Sequence, residues 1–350
     1  MRFSAEEAFV KVNGRSRVRD GIRYLGYSCS GIEFYFEGSR IEAEIWSNSP
    51  DMDESNKAWL AVFVDDETVP SKRIKVDKRE GCYLLYEGST ARRTKISLVK
   101  YSEASAAKLG IRAIITDSEH MPEPVLARER KIEFIGDSIT CGYGAEGKLL
   151  EGDFTTAEEN PWEAYAAKTA RALGADFNLV SWSGIGIISS YTEEDRPNDG
   201  WLMPSLYKYT DKAMDLTLGN KKPELWDSRH FVPDLIVINL GTNDHSYVKN
   251  IPERAEVFGK SYNAFVRQVY QANPSAKILC TLGVMGQDLC PEIKRQVELL
   301  NEDGLKDIYY MQFDLQDEKD GIGTHWHPSL VTYSKMAARL EEKIREIMNW

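Results

Sequence analysis

The chain has 350 residues, 42% of them hydrophobic and 28% charged, with a formal net charge of −11. That balance is ordinary for a protein with a packed interior, and the length favours two domains over one. The absence of any basic run argues against nucleic acid and anionic membrane surfaces as partners, since both need clustered Lys and Arg.

The first residues, MRFSAEEAFVKVNGRSRV, lack the apolar centre of a secretory signal. No stretch reaches the roughly 18 consecutive apolar residues of a membrane span. Five cysteines, Cys29, Cys82, Cys141, Cys280 and Cys290, are odd in number and form no CxxC. Reduced thiols and a cytoplasmic location are expected.

From about residue 20 to 120 the pattern is β. Ile32–Glu37 and Arg40–Ser47 alternate apolar and polar residues, with Gly38-Ser39 between them as a hairpin turn. Ala58–Val64, Arg73–Val76, Cys82–Tyr86, Lys95–Tyr101 and Ile111–Thr116 continue the series at short spacing. Residues 1–122 are therefore expected to form an all-β, jelly-roll-like sandwich. The polar stretch Asp117–Arg130 holds two prolines, and its last part, 123–130, is the expected linker.

From 131 to 350 the period changes. Strand-like runs at Ile132–Ile135, Phe177–Trp182, Leu235–Leu240, Lys277–Leu282 and Ile308–Phe313 alternate with helical segments. Asn160-Pro161 with Glu163 reads as the capped start of a helix that Gly174 closes. A helix is expected over Glu253–Asn273 and another from Ser329. Alternation of this kind predicts an α/β domain, three layers deep with a parallel sheet, whose ligands sit beyond the carboxyl ends of the strands. The insertion Tyr191–Arg229 is long and polar, placed to wall that crevice.

Chemistry-bearing residues cluster after those strands: Gly136-Asp137-Ser138, then Ser183-Gly184, then Gly241-Thr242-Asn243-Asp244, and a late loop DGIGTHWHP from Asp320 to Pro328. Acyl transfer needs a nucleophile, a base and oxyanion donors. Ser138 suits the first role and His327 the second. The N–H groups of Ser138 and Gly184, with the amide of Asn243, suit the third. Asp244 is expected to be a structural acceptor for loop N–H groups. Thr140 stands where a G-x-S-x-G elbow would need its second glycine, and no GK[ST] follows to make a phosphate loop. His325 and His327, with His245 and Asp244 elsewhere, lack a third ligand fixed by spacing, so no metal and no cofactor are expected. Tyr191, Trp326 and Trp201 are candidates for stacking on sugar rings, with Trp182 left to the core.

GDSIT, the serine-glycine pair, GTND and the terminal HP before a helix resemble the four blocks of the SGNH (GDSL-like) hydrolases. With GSRIEAEI in the β-rich part, the whole chain resembles carbohydrate esterase family 2, whose members join a jelly-roll domain to an SGNH domain and deacetylate plant polysaccharides or their oligosaccharides. The resemblance implies Ser138 as nucleophile, His327 as base, Gly184 and Asn243 as oxyanion residues, and an acetylated manno- or xylo-oligosaccharide as substrate. An esterase acting on other acyl esters and a non-catalytic carbohydrate binder are the alternatives. One position departs from the pattern. The aspartate usual three residues before the histidine is Thr324, and two before it stands His325. A Ser-His dyad oriented by a backbone carbonyl such as that of His325 is favoured, with an Asp320-assisted triad as the other option.

Overall fold

The computed structural model describes residues 1–350. Two compact units emerge: Met1–Arg128 with Phe154–Glu159 and Thr210–Glu224, and Glu129–Asp153 with Asn160–Tyr209 and Leu225–Trp350.

The strands of the first unit belong to one antiparallel sheet that curls on itself. Its frame is a pair of long strands, Gly31–Ser47 and Glu80–Lys100, matched along nearly their full length. The hairpin expected at Gly38-Ser39 is not there. The chain runs straight through, and the pairing register shifts between Gly38 and Arg40. The cause is distant in sequence: the Asp117 carboxylate accepts from the N–H groups of Ser39 (3.0 Å) and Arg40 (3.1 Å). Those donors are spent on a side chain, which makes the site a β-bulge and bends the strand. The runs Cys82–Tyr86 and Lys95–Lys100 likewise lie in one strand. Inward residues such as Phe34, Phe36, Ile41, Ile45, Leu60, Val62, Ile96 and Leu98 form the core of the sandwich.

The second unit carries a five-stranded parallel sheet. In chain order its strands are Arg130–Gly136, Ala175–Ser181, Leu235–Asn239, Lys277–Leu282 and Ile308–Gln312, and in space they run second-first-third-fourth-fifth. The first four are buried almost throughout, as covered parallel strands require, while the fifth, at the sheet edge, is only partly buried at Tyr309 and Tyr310. Helices Tyr165–Ala172 and Leu330–Met348 pack as one pair, Pro252–Ala272 and Cys290–Glu302 as another. The helix expected from Asn160 begins five residues later: Asn160 Oδ1 accepts from Glu163 N at 3.0 Å and caps a turn leading into it. Ser329 caps the last helix through Thr332 N.

This strand order has its switch point between the first and third strands, where open α/β sheets place ligands. The register aligns three ends there: Gly136 lies beside Ser181 on one side and Asn239 on the other. Ser138, Gly184 and Asn243 follow those three residues by two, three and four positions. No helix is long and apolar enough to cross a membrane.

Candidate active site

Ser138 is the first residue of a one-turn helix, Ser138–Cys141, capped by Asp137, whose carboxylate accepts from Ile139 N at 3.0 Å. The serine is only 7% exposed, and its Oγ lies 2.8 Å from His327 Nε2. The other imidazole nitrogen, Nδ1, lies 3.1 Å from both the Thr324 and the His325 carbonyl oxygens. Carbonyls only accept, so Nδ1 carries the proton and Nε2 presents its lone pair to the serine hydroxyl. Burial pushes the His327 imidazolium down to about 4, against a smaller upward pull from the two carbonyls. The ring is therefore neutral at ordinary pH.

Asp320 does not reach this histidine. Its carboxylate binds Lys335 Nζ at 2.8 and 2.6 Å, and its backbone carbonyl accepts from Ser329 Oγ. That acid is paired with an ammonium on the last helix, and the imidazole Nδ1 faces carbonyls instead. The carbonyls stand in its place, and they are aimed by an unusual backbone. His325 and Trp326 both adopt left-handed conformations, with φ of +52° and +64°. Each costs a non-glycine residue roughly 1–2 kcal/mol, so the surroundings must hold the loop. They do so through backbone bonds: Thr324 N donates to Gly144 O at 3.1 Å, and Gly323 N to His327 O at 2.8 Å.

Gly184 has φ of +80°, and a Cβ there would meet nothing within 4 Å. Glycine is required by the backbone angle, and the space over it is open. No backbone carbonyl takes the N–H of Gly184 or of Ser138. Asn243 Nδ2 donates to Ile185 O at 2.9 Å and makes a longer bond, 3.3 Å, to Asp137 Oδ2. One amide thus bridges the residue after Gly184 and the residue before Ser138. Asp244 is the acceptor expected of it: its buried carboxylate takes the N–H groups of Ile187, Ile188 and Ser189 at 2.7–3.1 Å. Burial pushes Asp244 up to about 6, while those donors pull it down. Asp137, buried and repelled by Asp244, rises to about 7.

The aromatic candidates are placed differently from one another. Tyr191 and Trp326 are each 57% exposed. Tyr191 N donates to Gly184 O at 2.8 Å, and Trp326 directly precedes the histidine. Trp201 packs on Trp182 with ring centroids 5.3 Å apart. Trp182 is half-buried and so not the core residue expected.

Sequence reasoning missed Tyr143. Its ring lies against His327 (centroids 4.5 Å) and its hydroxyl is 3.0 Å from His325 Nδ1. An aromatic held between two glycines, five residues after the nucleophile, is the available signal. Those contacts leave His325 and His327 facing Tyr143, backbone carbonyls and Ser138.

Residues 134–304 match the GDSL-like Lipase/Acylhydrolase family, and residues 12–124 match Carbohydrate esterase 2 N-terminal. Cellulase/esterase CelE of Acetivibrio thermocellus is 33% identical over 93% of this chain, which spans 38% of that longer protein. An acetylxylan esterase / glucomannan deacetylase of Cellvibrio japonicus is 28% identical, covering 99% of this chain and 91% of that one. A solved family two carbohydrate esterase from Clostridium thermocellum, in complex with cellohexaose, superposes with a TM-score of 0.85 at 32% identity, over 97% of this chain and 99% of that one. By sequence in both units and by fold, the chain belongs to carbohydrate esterase family 2.

Proposed function

We propose that the protein is a serine esterase that removes O-acetyl groups from acetylated plant oligosaccharides, with manno- and xylo-oligosaccharides as its substrates. The observation that carries this reading is the 2.8 Å contact between Ser138 Oγ and a His327 Nε2 whose partner nitrogen is already protonated and engaged by carbonyls. The names of the family relatives supply the substrate class. Tyr191, bonded through its backbone to Gly184, and Trp326, next to His327 in the chain, are exposed and offer flat apolar faces to sugar rings.

In the proposed reaction, His327 Nε2 takes the Ser138 proton as Oγ attacks the acetyl carbonyl. The negative charge that develops on the carbonyl oxygen is met by the N–H groups of Ser138 and Gly184 and by the Asn243 amide, which exchanges its long bond to Asp137 for the oxyanion. The imidazolium then protonates the departing sugar hydroxyl, leaving acetyl-Ser138. Water, deprotonated by the same nitrogen, attacks the acyl-enzyme; acetate leaves and Ser138 recovers its proton. The carbonyls of Thr324 and His325 hold the ring in one tautomer and stabilise the imidazolium, the part an aspartate plays in a triad.

Acetate release from 4-nitrophenyl acetate and from acetylated mannan and xylan oligosaccharides, with Ser138→Ala as control, tests the reading. Activity that rises with acyl length would favour a lipid-type hydrolase, and carbohydrate binding without release would favour a binder.

A further inference from the structure

We infer that Tyr143 is a positioning residue for the histidine base, acting through His325 in place of the missing acid. The inference rests on the esterase reading of Ser138 and His327 and concerns how that pair is held.

Three observations converge. First, one of the two carbonyls that orient His327 belongs to His325, a residue in a left-handed conformation followed by a second one. A loop with two such residues in succession relaxes unless something outside it fixes it. Second, the exposed imidazole of His325 is tied back at Nδ1 to the Tyr143 hydroxyl, 3.0 Å away and 182 positions distant in sequence. Third, the same tyrosine lays its ring against His327, at 4.5 Å between centroids and 40° between planes. One side chain therefore touches both the base and the residue that presents one orienting carbonyl. It sits on the segment that carries the nucleophile, since Tyr143 N donates to Ser138 O at 3.1 Å. One residue thus links the segment of the nucleophile, the base and one orienting carbonyl: its phenol hydrogen-bonds with His325 Nδ1 while its ring lies against His327.

The division of labour is testable because the two contacts separate. Tyr143→Phe keeps the ring and removes the tether. His325→Gly removes the imidazole partner of that tether and leaves a residue that tolerates positive φ. The loss is that of one neutral hydrogen bond felt in the transition state, so each variant should lose about tenfold or somewhat less in kcat with KM for 4-nitrophenyl acetate unchanged. The double variant should be no worse than the poorer single one, because both remove the same link. An independent readout is the His327 Nδ1–H resonance in proton NMR, sharp in the native protein and broadened by water exchange in both variants.

Losses that multiply in the double variant would overturn the inference, as would a raised KM with intact kcat, which would make the pair a substrate contact, or an unchanged Nδ1–H signal. The esterase reading is tested separately by activity of the unmutated protein: if that protein releases no acetate, the reading fails, while the NMR comparison still decides whether Tyr143 holds the ring.

Discussion

A Cβ added to Gly323 would lie 2.5 Å from the carbonyl oxygen of Gly144. The histidine loop and the turn after the nucleophile are thus in backbone contact, with no side chain between them. Thr324, whose carbonyl orients His327, donates its N–H to that same Gly144 oxygen. This junction ties the backbone of the histidine loop to the turn that follows Ser138.

Gly323→Ala should therefore disturb both activity and stability. Crowding a packed junction costs about 1–3 kcal/mol, and a shift of the loop by a fraction of an ångström lowers kcat by about tenfold to a hundredfold. Thermal unfolding and steady-state kinetics on the same preparation check this. Wild-type kcat in a folded variant would show that the junction does not set the spacing between Ser138 and His327.

Asp320→Asn should leave turnover within about threefold of wild type. The carboxylate is paired with Lys335, while the imidazole nitrogens are engaged by two carbonyls and Ser138. Losing an ion pair with a largely exposed lysine changes stability by less than about 1 kcal/mol. A loss of orders of magnitude in kcat, with the fold intact, would restore the acid as third member of a triad.

The pH dependence follows from burial of His327. The base works when neutral, and its folded value is about 4 where an ordinary histidine has 6.5. The acid limb of kcat/KM should have its midpoint near 4, with a plateau from about pH 5 upward. A midpoint near 6.5 would contradict the burial argument. Linkage has the same sign. The unfolded chain binds the proton first, so the contribution of His327 to stability is complete above pH 6.5 and is lost as pH falls toward 4. Asp137 and Asp244, raised by burial, act in the opposite direction as pH rises. Urea midpoints at pH 7.5 and 5, compared between wild type and His327→Gln, isolate the histidine.

Asp244→Ala would leave three buried N–H groups without their acceptor. We expect a loss of about 2–4 kcal/mol in unfolding free energy and a fall in kcat of at least about tenfold, because the turn Gly184–Ser189 presents one oxyanion donor. Chemical denaturation and kinetics test the two parts. Reduced stability with unchanged kcat would separate this carboxylate from the oxyanion turn.

The sequence carried the parts of the site that are written in short local motifs. Ser138, Gly184 and Asn243 each follow a strand within two to four residues, and a parallel sheet brings such ends to one edge whatever the loops do. His327 was legible for a similar reason, standing before a proline and a capped helix. What was hidden depends on pairings across long separations. Gly38-Ser39 has good hairpin chemistry, and only Asp117, 78 positions away, makes it a bulge. Asp320 seemed free to fold back until Lys335 on the final helix claimed it. Tyr143 sat within the motif that identified the serine, yet its partner lies 182 positions later, in a loop whose left-handed backbone no composition rule predicts.

Ser138, activated by His327 alone, is proposed to carry the acetyl group. Incubation with an acetylated xylo- or manno-oligosaccharide, acid quenching, and mass spectrometry of the peptide containing Ser138 test it most directly. An acetyl adduct on Ser138 is expected during turnover, with acetate released by the wild type and both adduct and acetate lost in Ser138→Ala. Acetate release that persists undiminished in Ser138→Ala would contradict it.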